Sequence, residues 1–336
     1  MRKIFQRYVV VGLLVFLADT ALANDGAANL GVGGLEFTTS EFVVMEKEDL
    51  YLSPQLVKVD YVFRNISENP VELQVAFPLP VLDTAKLFDC FANTQIPFPN
   101  SPNFVGFRTF VNSNPVSAEI ETKAEINGRD VSALLRTLQI PYNLPGNALS
   151  NALKQLPAQK RSELIAAGLL QLNKTCIGEL QPLWFSRTTY HWKQRFEPGL
   201  AVRISHTYQP SMGGFFIQPD SQVYGSPDRL TVKEINLNPF CIDAGTWRAI
   251  QKMAPGGAAY NQRIVVAHNL QYILRTARSW SGPIRKFSLT IDKRKPEAIV
   301  STCGDGLRKI GPALFQMRKI NVRPDDDLNI LFVERM

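Results

Sequence analysis

The chain has 336 residues, 45% of them hydrophobic, with 37 basic against 30 acidic side chains and a net charge of +7. That length can bury a large core as one big domain or two smaller ones. The basic residues are scattered, in clusters no longer than Lys293-Arg294-Lys295, with no aromatic-interleaved stripe, so the composition speaks against a nucleic-acid face and allows only weak attraction to an anionic membrane or polymer.

The chain opens with Arg2, Lys3 and Arg7, continues through the apolar run Tyr8 to Leu17, and reaches Ala21-Leu22-Ala23. This is the charged, apolar and small-residue order of a signal peptide. The apolar run is ten residues long, whereas a bilayer span takes roughly 20. Cleavage after Ala23 is therefore expected, with residues 1–23 as the signal peptide and a periplasmic or secreted destination. No later segment is apolar for long enough to span, so no membrane span is expected after cleavage.

Val57, Val59, Tyr61 and Phe63 alternate with Lys58, Asp60 and Arg64, the period of a half-buried strand. After the turn-forming Ser67-Glu68-Asn69-Pro70, Val71, Leu73, Val75 and Phe77 alternate with Glu72 and Gln74. The two runs read as a hairpin with its apolar residues on one face, over a core. Pro78 and Pro80, lacking amide protons, end its second strand. Residues 83–102, rich in Pro, Asn and Phe, read as a long loop containing Cys90. Alternating runs over Phe104 to Val111 and Val116 to Ile126 flank the turn Asn112-Ser113-Asn114-Pro115.

The period then changes. Asp130 can cap a helix in which Val131, Leu134, Leu135 and Leu138 share a face. A second helix fits Ala148 to Leu156, and a third starts at Pro157 with Leu164, Ile165, Gly168, Leu169 and Leu172 on one side. Residues 129–180 are thus a small helical insertion, expected to pack on sheets, between β regions at 24–128 and 181–336 that are free to share one core. Trp184 to Phe196 and Leu200 to Tyr208, around Glu197-Pro198-Gly199, read as a long aromatic hairpin. Thr231 to Leu237 reads as a strand, Ala244 to Met253 as a helix capped by Asp243, Arg263 to Leu274 as either, and Phe287 to Ile291 and Leu328 to Val333 as strands.

Candidate chemistry is thin. The four cysteines, Cys90, Cys176, Cys241 and Cys303, form no CxxC pair; in an exported protein an even count reads as two disulfides, with three possible connectivities. Pairing Phe196 with Leu200 sets Tyr190 opposite His206 and sends His191 and His206 to opposite faces, against a shared metal. No GxSxG elbow occurs. Asp325-Asp326-Asp327 lacks the spacing and glycine of a calcium loop. Gly31-Val32-Gly33-Gly34 has no strand before it and is a weak phosphate loop. Asn65-Ile66-Ser67 and Asn173-Lys174-Thr175 match the glycosylation sequon. Trp184, Tyr190 and Trp192 are candidates for a sugar-stacking surface if exposed. His268, with Asp305 or a carboxylate of 325–327, is a candidate acid/base pair.

Several segments resemble an exported bacterial family, domain of unknown function 4424. The N-terminal likeness lies in Asn24-Asp25-Gly26, in Gly33-Gly34-Leu35 leading to Met45-Glu46-Lys47-Glu48-Asp49-Leu50-Tyr51, and in Tyr61-Val62-Phe63-Arg64-Asn65 followed by Phe77-Pro78-Leu79-Pro80. The C-terminal likeness lies in Trp280-Ser281-Gly282-Pro283-Ile284, Phe287 and Ser301-Thr302-Cys303. The resemblance implies an exported β-rich protein with no established reaction or cofactor, and a Cys241–Cys303 pair, leaving Cys90 for Cys176. About 25 residues running into FPLP also resemble the first hairpin of the vault protein inter-α-trypsin domain.

The expected fold is mainly β: antiparallel, sandwich-like sheets with a small helical insertion. The expected function is an exported, non-catalytic envelope protein that binds another protein or polymer through a β surface, without a cofactor. A periplasmic hydrolase or carbohydrate-binding protein acting on envelope glycan is the alternative.

Overall fold

The computed structural model describes residues 25–31, 34–89, 94–174, 176, 179–218, 222–224, 238–253 and 265–335. The leader, Cys90, part of the glycine run at 31–34, Thr175 and the strand expected over 231–237 lie outside the described residues.

The described strands form two large sheets, a third of five strands and a two-stranded ladder, Leu170–Leu172 with Leu180–Pro182. In the first large sheet the order is Arg129–Asp130, Glu119–Ile126, Phe185–Phe196, Val71–Pro78, Gly26–Gly31, Gly34–Phe37, with Leu82–Asp83 also on Phe185–Phe196. The eight-stranded sheet runs Arg308–Lys309, Leu314–Val322, Ile284–Asp292, Val43–Leu52, Val57–Asn65, Ala201–Tyr208, Arg108–Val111, Asn114–Val116. Ile284–Asp292 and Val43–Leu52 pair in parallel; the other pairings of this sheet are antiparallel. The protein is thus mainly β and sandwich-like, and its principal core joins residues from Ala27 to Phe332.

The segments at 57–65 and 71–78 are strands, but they do not form a hairpin. Val57–Asn65 pairs with Val43–Leu52 and Ala201–Tyr208, whereas Val71–Pro78 pairs with Phe185–Phe196 and Gly26–Gly31 in the facing sheet. The connection is an arch across the sandwich. The expected aromatic hairpin is a second arch, with Phe185–Phe196 in one sheet and Ala201–Tyr208 in the other. The apolar sets therefore face each other rather than lie side by side: Phe63 meets Phe196 at 6.2 Å between ring centroids, and Trp192 meets His206 at 5.3 Å. Turn composition marks a reversal without specifying which, since sideways pairing and crossing both satisfy a period of two.

The two arches nest at one end of the sandwich around Asn65, which is fully buried. Its Nδ2 donates to the carbonyls of Asn69 at 2.7 Å and Phe196 at 2.9 Å. Its Oδ1 accepts from Ser67 N at 2.9 Å, and its backbone carbonyl accepts from Gly199 N at 3.0 Å. Gly199 has φ +68°, a conformation that favours glycine. Asn112 and Ser113 make a true two-residue hairpin turn, with φ of 47° and 68° joining Val111 to its partner Asn114.

The third sheet runs Gln222–Tyr224, Gly213–Gln218, Val265–Tyr272, Leu328–Arg335, Ile299–Thr302. Its two faces are both covered. Leu270, Tyr272, Ile330 and Phe332 join the main core, while Val265, Ala267, Leu331 and Val333 pack with Ile250 and Met253 of the helix Ala244–Met253. Double burial removes the alternation that marks a strand, which is why 263–274 was ambiguous in sequence. Asp243 caps that helix as expected, accepting from Thr246 N at 2.6 Å.

The insertion contains helices Ser132–Thr137, Asn147–Lys154 and Ala158–Ala166. Leu135, Leu149, Leu153, Leu164 and Leu169 pack with Ala124 and Trp184 of the first large sheet and its approach. The third helix stops at Ala166, and Leu172 of the face expected to be buried is exposed in the following strand.

Candidate functional site

The aromatic candidates are core residues. Trp184, Tyr190 and Trp192 are 0%, 1% and 4% exposed, which withdraws them from any sugar-stacking surface. Tyr190 and Trp192 share the inward parity of Phe185–Phe196, and Trp184 closes the core beneath the helical insertion. Tyr190 stacks on Phe107 at 4.2 Å, its hydroxyl donating to Asn103 Oδ1 at 2.8 Å.

The acid/base candidates do not converge. His268 is buried in the third sheet beside Phe332, and its charged neighbours are Glu334 and Lys295. Asp305 is almost fully exposed at the eight-stranded sheet and ion-paired with Lys319. Asp327 accepts from the backbone N–H of Leu274 at 3.1 Å and Arg275 at 3.3 Å and pairs with the Arg275 guanidinium at 3.0 Å, while Asp325 pairs with Arg278. These carboxylates tie the short helical segment Arg275–Ser279 to the start of the last strand. The sequon asparagines are likewise committed, Asn65 as above and Asn173 through its Nδ2 to Phe88 O at 2.5 Å and its Oδ1 from Cys176 N at 3.0 Å.

His191 and His206 point to opposite sides, though not through the expected pairing. Tyr190 is opposite Phe77 and Ile120, and His206 opposite Val59 and Thr109. His206 faces the core, and His191 meets Gln74 at 2.6 Å on the other side. Cys241 and Cys303 are bonded, tying the approach to the helix Ala244–Met253 to the end of the third sheet. Cys176 is also disulfide-bonded.

Two arrangements escaped the sequence reading. The first is a polar cluster inside the core. A bulge at Met45/Lys47 turns both Glu46 and Lys47 outward, so that Glu48 points inward with Leu50 and Leu52. Glu48 Oε1 accepts from the Tyr272 hydroxyl at 3.4 Å, and that hydroxyl meets the Tyr61 hydroxyl at 3.0 Å. Nearby, His206 Nε2 lies 3.0 Å from Asp25 Oδ1, and the Trp280 indole donates to the Asp25 carbonyl at 2.5 Å. Asp25, Glu48 and His206 have no exposed surface. Burial raises the Asp25 carboxyl above its ordinary range, against the opposing pull of His206, and raises the phenols of Tyr61 and Tyr272 strongly. A cluster so sealed can hold charge and position chain, but it presents nothing to an external substrate.

The second is a surface. The outer face of the eight-stranded sheet forms an open trough of about 1090 Å³, its floor including Lys47, Asp49, Lys58, Asp60, Lys286 and Arg318. Register aligns Arg318, Ser288, Asp49, Asp60 and Ser205 in one row across five strands. Asp49 and Asp60 are directly opposite, a like-charge pairing that disfavours the sheet. Each is compensated along its own strand, Asp49 by Lys47 and Asp60 by Lys58 at 2.9 Å. Alternation marked Asp60 as outward-facing, but its meeting with Asp49 depends on register.

Residues 23–331 match the model of a family described as a domain of unknown function, DUF4424. The likeness to the vault protein hairpin finds no support, and the segment that suggested it is an arch. A search among curated proteins returns no match. Among solved structures, a Legionella pneumophila protein provisionally described as a nutrient binding protein is similar at 15% identity, covering 93% of this chain and 72% of that one, with a TM-score of 0.42. A likeness of that degree carries no argument about ligand or mechanism.

Proposed function

We propose that this chain, which belongs to the DUF4424 family, is an exported, non-catalytic envelope protein that binds another protein or polymer through the outer face of its eight-stranded sheet. The observation that carries the reading is the trough, whose floor keeps Asp49 opposite Asp60 among lysines and an arginine. A sheet face kept only as scaffold gains from opposite charges across strands; a local rule broken in a concavity is the pattern of a site retained for use. The leader-like start and the Cys241–Cys303 bond support passage through an oxidising compartment. The hydrolase alternative loses its motive, because His268, Asp305 and the 325–327 carboxylates serve separate parts of the fold.

The test is recovery of partners by tagged protein after cross-linking in intact envelope. Lys286→Glu with Arg318→Glu should abolish specific recovery while changing stability by no more than about 0.5 kcal/mol per surface site. Recovery at the wild-type level would remove the trough from the interface. No specific recovery by the wild type would sink the binding reading itself.

A further inference from the structure

Register gathers on the outer face of the eight-stranded sheet basic residues that the sequence scatters. The outward carboxylates of this face are each held by a cation: Glu46 by Arg64 at 2.8 Å, Asp49 by Lys47 and Asp60 by Lys58 at 2.9 Å. Asp305, which also lines the trough, is held by Lys319. Five further cations of the sheet, Lys286, Arg318, Arg308, Arg203 and Arg108, are exposed and enter no ion pair among the described residues. The face thus keeps an unneutralised surplus of five in a chain whose net charge is +7.

One row of the register crosses seven strands and contains no carboxylate: Arg308, Gln316, Thr290, Tyr51, Lys58, Thr207 and Arg108. At the strand spacing of a sheet it is about 29 Å long. Arg308 and Arg108 stand at its ends, and Lys58, shared with Asp60, lies between them. The other four members are half-buried and carry amide or hydroxyl groups. Gln316 Nε2 donates to Thr290 Oγ1 at 3.3 Å, and the Tyr51 hydroxyl donates to the buried Asp292 at 2.7 Å, so the middle of the row is ordered from within. Gln316, Thr290, Tyr51 and Lys58 line the trough, and the row continues beyond it at both ends.

A ligand that fits such a row is long, linear and anionic, with hydrogen-bonding groups between its charges. The row has no exposed large apolar side chain of the kind that anchors a protein partner or enters a bilayer. Ile320, exposed in the trough, belongs to another row, opposite Lys286. Single-stranded nucleic acid calls for successive stacking rings, and the row offers one, Tyr51. Cations separated by amide and hydroxyl groups suit a sugar chain whose acid groups are separated by hydroxyls. We infer that the trough is the middle of a track for a linear acidic polysaccharide, which lies across the strands with acid groups at Arg308 and Arg108 and hydroxyls over the polar middle. The inference rests on the trough reading and names the class of polymer.

The test measures binding of the purified protein to immobilised polygalacturonate, with neutral dextran as the uncharged polymer. Polygalacturonate is expected to bind and dextran not, with an affinity that falls as salt is raised. Arg308→Glu with Arg108→Glu changes two exposed, unpaired side chains and should weaken binding roughly tenfold or more. Arg129→Glu with Lys193→Glu makes the same change of charge at exposed positions of the other large sheet and should leave the affinity within about twofold. Equal losses in the two double variants would reduce the effect to net charge and overturn the track. No binding of polygalacturonate, or binding only to polyphosphate or to phosphatidylglycerol vesicles, would overturn the polysaccharide assignment. In either case, recovery of a cross-linked partner that depends on Lys286 and Arg318 would still uphold the trough as an interface.

Discussion

Asn65 lies without solvent exposure where two crossings between the sheets meet, and its amide joins the two arches. Replacing it with Ala leaves the buried Phe196 carbonyl without this donor. The expected loss is about 1–3 kcal/mol, read from denaturant unfolding; a change within error would show that water replaces the amide. At the same scale His268 ties stability to pH. Burial lowers its folded-state pKa below the ordinary value of 6.5. The folded chain then binds fewer protons at this site than the unfolded chain, so the contribution is present above pH 6.5 and is lost as pH falls toward the folded-state value. His268→Gln should flatten the decline in stability between about pH 7.5 and about pH 5. Parallel curves for variant and wild type would assign the decline to other groups.

At the scale of elements, the strands at 57–65 and 71–78 were legible from alternation, as were the helix at 244–253 with its aspartate cap and the three helices of the insertion. The partners of those strands were not. Phe63 and Phe77 have 0% and 1% exposure on facing sheets, so truncating either to Ala should cost about 3–5 kcal/mol. Both belong to the principal core, but Phe63 packs on Phe196 and Trp280 whereas Phe77 packs on Phe107, His206 and Tyr208, so the double variant is expected to be close to additive; a large coupling energy would show that the core relaxes as a unit between the two sites. The Cys241–Cys303 bond closes a separation of 62 residues, and its removal should cost about 4 kcal/mol in the chain-entropy picture. Ala244–Met253 packs on the third sheet beside that bond, so its amide protection in hydrogen exchange should fall first. Uniform loss over the whole chain would instead point to a single cooperative unit.

For the whole molecule, the β regions at either side of the insertion interleave in both large sheets and share one principal core. That arrangement explains the failure of the aromatic and acid/base candidates. Trp184, Tyr190 and Trp192 looked like a platform because a long aromatic strand suits either a core or a ligand surface, and only the facing sheet decides between them. His268 lies in the third sheet, whereas Asp305, 37 residues further on, lies in the loop between Ile299–Thr302 and Arg308–Lys309 and pairs with Lys319 of the eight-stranded sheet. The trough and the buried cluster were invisible for the complementary reason: Asp49 meets Asp60, and Glu48 meets Tyr272, through register and a bulge rather than through spacing.

The sequence by itself determined the local physics: which runs alternate, where helices begin, where turns interrupt, and, through ordered motifs across nearly the whole chain, the family. These depend on neighbours within a few residues, whose periodicity the chain carries directly. Tertiary structure alone decided whether a turn closes a hairpin or an arch, which aromatic face is covered, and which charges meet. Those outcomes depend on contacts between segments far apart in sequence, and the same alternating pattern satisfies each alternative until a particular sheet is packed against it.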